Sequence, residues 1–434
     1  MSFPRYPAYK DSSVDWLGRV PEHWRVDRLK RNLSLLTEKS DSKTNPVALE
    51  NIEGWSGRFI ASETEFEGDG VRFDTGDILF GKLRPYLAKV LLARWPGEAV
   101  GDFHVLRAKP SVFPRFAQYL MLTRSFIDIV DGSTFGSKMP RAGWEFVGDM
   151  PLPIPSFDEQ KSIVAFLDRE TAKIDDLVAE QEQLITLLKE KRQAVISHAV
   201  TKGLDPSVPM KDSGVEWLGE VPAHWEVTHL KRRCAVITDG AHISPETEGG
   251  VHLFVSTKDI SDDGIDFDSA LRTSPASYEY MIKTGCQPIG GDVLFSKDGT
   301  IGRTVVVNGS IEFVIASSLI IIRPIPDQLN SDFLNALCQS WVVSQQVDGF
   351  VKGAGLPRLS IQNLLKVVGV FPPIDEQVQI ANYLSDLDMR SRTLALEAER
   401  TVALLKERRS ALISAAVTGQ IDVRGLAPAQ EQAA

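Results

Sequence analysis

Cysteine is scarce in this chain: Cys234, Cys286 and Cys338 are the only three in 434 residues. No C-x-x-C pair occurs among them, which excludes a disulfide framework and the usual zinc spacings and leaves the role of small buried hydrophobes. Long apolar runs are also missing. The richest, Phe313 to Ile322, holds 10 residues, two of them serine, against the roughly 20 that a membrane-spanning helix needs. No membrane contact is expected. The first residues lack the charged-then-apolar order of a secretory signal, so a cytoplasmic setting is expected. Motifs that define whole enzyme classes are absent too: there is no G-x-x-x-x-G-K-[ST] loop, no H-E-x-x-H pair and no complete G-x-G-x-x-G after a strand. The seven histidines do not cluster at ligand spacing.

Positive charge is in deficit as well. The net charge is −10, with 48 basic and 58 acidic side chains, which argues against nucleic-acid binding by bulk charge alone. The balance is uneven: residues 1–150 carry 21 basic and 20 acidic side chains, residues 207–370 carry 13 and 19. With 43% hydrophobic and 24% charged residues, the chain has an ordinary globular composition. Its length predicts about three domains.

What the sequence does contain is a repeat. Lys10 to Val26 reads KDSSVDWLGRVPEHWRV and Lys211 to Val227 reads KDSGVEWLGEVPAHWEV, identical at 12 of 17 positions with an offset of 201. Phe157-Asp158-Glu159-Gln160 corresponds to Ile374-Asp375-Glu376-Gln377 at offset 217. Gly76 to Phe80 pairs with Gly291 to Phe295 at offset 215, so most of the extra length of the second copy enters early. The frame is kept and the filling has diverged, as in a common scaffold that presents two different surfaces.

Each copy closes on a helical segment. Asp158 to Val200 and Asp375 to Val417 are free of Gly and Pro, follow Pro155 and Pro373, and precede Gly203 and Gly419. Ile174, Leu177, Gln181, Leu184, Leu188 and Val195 are expected to form one apolar seam, and Leu394, Ala398, Thr401, Leu405 and Leu412 the other. A helix of that length cannot bury its seam in a domain of about 150 residues without a partner, and the other copy is the natural one, in antiparallel pairing. Strands are expected at Gly76–Phe80, Ala88–Leu92, Asp292–Phe295 and Arg303–Val307, with helices over Phe113–Ile129 and Gln328–Val347. The expected class is α+β: two strand-rich mixed domains in pseudo-twofold tandem repeat, separated by two long helices packed as an antiparallel coiled coil. The expected divisions are a domain at 1–157, a helix with linker at 158–206, a domain at 207–373, a helix at 374–420 and a disordered tail at 421–434.

Asp158-Glu159-Gln160-Lys161 has the look of part of a metal-dependent nuclease site, but the second copy has Val378 in place of Lys161. Acidic residues in a first helical turn are the plainer explanation. Trp16, Trp24, Trp217 and Trp225, with His23 and His224 beside two of them, read as a structural clasp rather than a base-stacking platform. Basic residues beside glycines and aromatics after the strands are the better functional candidates: Lys82, Arg84 and Tyr86 in the first copy, Lys297 and Arg303 in the second. Gly136 to Arg141 matches Gly353 to Arg358, adding Lys138, Arg141, Lys352 and Arg358. Such residues suit phosphates and guanine edges. Solvated surface charge is the bland alternative, and Arg141 and Arg358 could equally tie the domain to its helix.

Two diverged domains, each opened by W-L-G-x-V-P-x-H-W and closed by P-x-x-D-E-Q with a long L-L-K-E-[KR]-R helix ending in A-V-T, resemble the specificity subunit of type I restriction-modification enzymes. The resemblance spans nearly the whole chain. It implies a non-catalytic subunit whose globular parts each read one half of a split double-stranded DNA target, while the helices set the gap and dock partners. It implies as partners two modification subunits, which methylate adenine with S-adenosylmethionine, and restriction subunits that translocate and cut DNA with ATP and Mg. No cofactor is expected on this chain. The competing readings are an enzyme that modifies DNA by itself and a coiled-coil adaptor that never touches DNA.

Overall fold

A computed structural model describes residues 3–40, 44–62, 69–136, 138–261, 263–351 and 357–426. The chain forms two compact units: residues 1–182 with 399–434, and residues 183–398. These do not follow the linear divisions expected from the sequence. Each long helix gives one half to each unit.

In the first unit, strands Leu33–Leu36, Phe103–Ala108, Ile78–Gly81 and Val90–Leu92 form an antiparallel sheet in that spatial order. Apolar side chains fill both faces. Ile78 and Phe80 point into one core with Phe116 and Phe126, and Leu79 and Leu91 into another with Phe73 and Phe103, as the period of two requires. A second sheet adds Lys39–Ser40, Gly70–Phe73, Gly97–Val100 and Pro46–Val47, its last pair parallel. The helix expected over Phe113–Ile129 is two, Pro114–Met121 and Arg124–Gly132. Thr123 breaks it, its side chain accepting from the Phe126 N–H to start the second helix.

The second unit repeats the plan. Cys234–Asp239, Leu319–Pro324, Val293–Ser296 and Thr304–Val306 form the matching antiparallel sheet. Leu271–Thr273, His252–Val255 and Phe313–Ile315 form the second sheet, again with one parallel pair. The expected helix over Gln328–Val347 also divides, at Ser340, into Ser331–Gln339 and Trp341–Phe350. The helix Pro275–Lys283 falls in the stretch where the second copy is longer.

The long helices run Phe157–Lys202 and Ile374–Val417. In the first unit Arg409 pairs with Asp175 at 3.0 Å and Lys406 with Glu182 at 3.1 Å. Numbers fall along one helix as they rise along the other, so the halves are antiparallel. Arg192 pairs with Asp388 in the second unit. The seam differs from the expected one. Ile174, Val178, Gln181, Ile185, Leu188, Arg192 and Val195 are withdrawn from solvent, and so are their equivalents Ser391, Ala395, Ala398, Val402, Leu405, Arg409 and Leu412. This is a strict alternation of 4 and 3. Leu177, Leu184 and Leu394, expected in the seam, are exposed, and Thr401 is too. Adjacent apolar residues at 177/178, 184/185 and 394/395 offer two stripes one residue apart, and packing uses the second.

Each helix ends on a glycine packed against an opening motif. A Cβ on Gly419 would meet Pro21 at 2.4 Å and Trp24 at 3.1 Å, and one on Gly203 would meet Trp225 at 3.3 Å, with φ +78° in both. Thus the first helix ends on the second motif and the second helix on the first. The tail expected from 421 onward is in part built into the fold. Val423 is fully buried, Ile421 and Leu426 pack on the first core, and the Asp422 N–H donates to the Pro4 carbonyl at 2.8 Å. The remainder of that expectation, 427–434, lies outside the described residues.

Candidate nucleic-acid interface

The repeated motifs are latches. Strand Arg25–Arg28 pairs with Pro151–Ile154, and Glu226–His229 with Val368–Phe371, which sets each H-W pair beside the start of a long helix. Trp24, fully buried, donates from Nε1 to Glu159 Oε1 at 3.1 Å, and His23 Nε2 lies 2.9 Å from the other oxygen. In the second unit Trp225 donates to Glu376 at 3.1 Å and His224 lies 2.8 Å from it. Gln160 accepts from the Phe113 N–H at 2.7 Å and donates to the Ser111 and Pro155 carbonyls. Gln377 does the same with Asn330, Gln328 and Pro372. The helix-start explanation therefore covers only part of D-E-Q. Asp158 is exposed in the first turn, while Glu159, Gln160 and Gln377 are buried, Glu376 is half-buried, and all four hold their domain to its helix. The clasp reading holds for Trp24 and Trp225, while Trp16 and Trp217 are half-buried against the two cores.

With the frame held this way, the loops beyond the central sheet carry what differs. In the first unit Gly81 ends its strand, and Lys82 to Ala88 form a turn in which Arg84 (φ 50°) and Ala88 (φ 47°) are left-handed without being glycine. That backbone is strained and needs bracing. Trp55 donates its N–H to the Ala88 carbonyl at 3.0 Å, and Gly54 sits so close that a Cβ there would be 2.4 Å from the Leu87 carbonyl oxygen. On the other side Arg84 N–H donates to the Pro140 carbonyl at 2.8 Å, and Leu83 bridges Arg141. The structure therefore brings Lys82, Arg84, Tyr86, Lys138 and Arg141 onto two joined loops.

Their roles separate. Arg141 grips Asp102 with two bonds of 2.9 Å, and Lys82 Nζ lies 3.9 Å from the same carboxylate. In the second unit Arg358 grips Asp298 at 2.6 and 2.8 Å. These arginines tie loop to loop and not domain to helix, a correction to the alternative left open from sequence. Lys297 is 4% exposed and bound to Asp239, so it is not the free loop cation that its position after a strand suggested. Asp239 also meets His242 at 2.8 Å. Burial acts to raise that carboxyl, and the Lys297 and His242 contacts outweigh it, so it titrates below the ordinary range. Arg303 is exposed, its N–H bonded to Ser296 Oγ at 2.8 Å. Lys352 lies outside the described residues.

Burial is the largest influence on the three cysteines and on His104. Cys234 is pushed up to about 12, and Cys286 and Cys338 rise for the same reason; all three are free. His104, inside the first domain with Nε2 2.9 Å from the Ala142 carbonyl, is lowered by burial. Among the described residues no group of His, Cys, Asp and Glu could hold a metal ion, and no helix is long and apolar enough to cross a membrane.

Residues 224–404 match the type I restriction modification DNA specificity domain. That match covers less than half of the chain. It is 22% identical over 440 residues to the MjaVIII specificity subunit of Methanocaldococcus jannaschii, covering 94% of this chain and 95% of that one. Over 207 residues it is 27% identical to the EcoDI specificity subunit of Escherichia coli, which is 45% of this chain and 46% of the relative. That alignment thus spans about half the length of either. A solved chain from work on complex assembly and conformational transition of the type I R-M system is similar with a TM-score of 0.71 and 19% identity, over 92% of this chain and 98% of that one. This last likeness concerns the fold.

Proposed function

We propose that this chain is a non-catalytic DNA specificity subunit, in which each unit reads one half of a split target. The observation that carries the reading is the contrast between frame and loops. Glu159 with Glu376 and Gln160 with Gln377 make the same contacts in both units, whereas the loops after the central strands differ in residue and in ion pairing. A duplicated mount with two different faces suits recognition of two unlike sequences. Lys82, Arg84, Tyr86, Lys138 and Arg303 are the proposed direct contacts, to phosphates and base edges. Arg141, Arg358 and Lys297 shape the loops that carry them, and Lys352 completes the set from a neighbouring stretch of sequence.

The proposed partners are double-stranded DNA, two modification subunits that hold S-adenosylmethionine, and restriction subunits that use ATP and Mg. The long helices set the gap between half-sites and offer the docking surface. Because residues 207–370 are acidic on balance, partner subunits supply much of the positive surface that DNA needs. The test is to express the chain with its modification subunit in a host lacking other methyltransferases and to map methylated adenines. A split sequence with a fixed unread gap, lost when this chain is omitted, is the expected result. Methylation by the chain alone, or none that depends on it, overturns the proposal.

A further inference from the structure

Phe135 is 81% exposed, beside Met139 at 49% on the same small hairpin and near Tyr86 at 48% on the joined loop. Single exposed apolar residues are ordinary on protein surfaces. Three on two interlocked loops that also carry Lys82, Arg84 and Lys138 are not. Nor is this edge free to fold its apolar side chains inward. Phe135 and Arg141 exchange backbone hydrogen bonds at 3.4 and 3.3 Å, Arg141 is fixed by both oxygens of Asp102, and the Tyr86 N–H donates to Asp131 at 3.3 Å. The backbone spends left-handed strain at Arg84 and Ala88 to hold the edge out. Arg84 and Lys138 flank it, and among the described residues neither makes an ion pair, so positive charge and apolar surface are offered together.

We propose that Phe135, with Met139 and Tyr86, is an apolar finger that contacts the bases of one half-site directly, while Arg84 and Lys138 engage the flanking phosphates. The inference rests on the half-site reading above and adds a specificity-determining group to it. Duplex DNA has two apolar features that such a finger can meet: the C5-methyl of thymine in the major groove, and the stacked faces exposed when a base step is pried open. Basic side chains on both flanks favour this polyanion over an apolar protein groove. The finger belongs to one half-site only. At offset 215 the counterparts of Arg84 and Tyr86 are Gly299 and Ile301, so the second unit presents a different edge.

The experiment compares the complex carrying Phe135→Ala with wild type and with Phe146→Ala, another exposed phenylalanine of the same unit, all assembled with the modification subunits. The probe is the duplex mapped by methylation, alongside duplexes with either half-site scrambled. Expected for Phe135→Ala is a loss of about ten-fold or more in affinity for the cognate duplex, with scrambled-duplex binding, complex assembly and the Phe146→Ala control unchanged. Replacing the thymines of one half-site by deoxyuridine should weaken wild type and not the variant if methyls are met. A 2-aminopurine signal from that half-site, present only with wild type, marks an opened step. Either supports the finger. Unchanged affinity and preference in Phe135→Ala, with wild type selective, overturns it, as does failure of the variant to assemble, which would assign the patch to a protein partner. A wild-type complex without sequence preference overturns the half-site reading itself.

Discussion

The indole nitrogen of Trp24 donates to the Glu159 carboxylate across 3.1 Å of buried space, although 135 positions separate them in the chain. The first residue of this pair opens the repeat and the second closes it, so one hydrogen bond ties the ends of a domain to the helix that leaves it. Removing the carboxylate strands a buried N–H, which costs about 1 to 3 kcal/mol. Glu159→Ala is expected to lower the stability of the first unit by that amount. Glu376→Ala should cost less, since its carboxylate is more exposed than that of Glu159. Urea titration followed by tryptophan fluorescence compares the two, and equal, negligible losses would rule the latch out.

The helix seam makes a sharper comparison. Ile174 is buried in the first core and Leu177 is exposed. Ile174→Ala should cost about 2 to 4 kcal/mol, and Leu177→Ala less than about 0.5 kcal/mol. Thermal unfolding of both variants decides whether the stripe through Ile174 and Val178 is the one used.

Lysines at matching positions should fail differently. Lys82 is partly exposed and lies 3.9 Å from Asp102, whereas Lys297 is buried on Asp239. Lys297→Ala is expected to destabilise the second unit by about 3 kcal/mol, because a largely buried carboxylate loses its cation. Lys82→Ala should leave stability intact and reduce the salt dependence of DNA binding by about one phosphate contact. Melting curves and a salt titration of the assembled complex separate the two outcomes.

His104 makes the first unit sensitive to mild acid. Burial lowers its folded-state value, so below an unfolded value of about 6.5 the unfolded chain binds a proton that the folded chain refuses. Its contribution is intact above that pH and is lost as the pH falls from there toward the folded value. Denaturation midpoints at pH 7.5 and 5.5 should draw closer in His104→Gln than in wild type. An unchanged difference would mean that this imidazole does not govern the slope.

Some of the site was within reach of sequence and some was not. D-E-Q could have been recognised as a latch: a helix dipole asks for an acid in the first turn but gives no reason to keep Gln160 and Gln377 in both copies while Lys161 becomes Val378. The burial of Lys297 had no such signal. Its partner Asp239 lies 58 positions away, on a strand whose neighbour in the sheet is Leu319–Pro324. Phe135, next to a glycine in a polar loop, resembles any loop aromatic until its exposure is known.

By itself the sequence determined the duplication, the two long helices and the strand-rich α+β character, because these rest on local periodicity, on helix stop signals and on similarity between copies. Tertiary structure decided which of two adjacent apolar stripes the helices bury, which cations are spent on internal carboxylates and which remain for a ligand, and that residues 421–426 belong to the first core. Those outcomes depend on what meets each side chain from a distant part of the chain. Burial and pairing are properties of that meeting, and no single segment carries them.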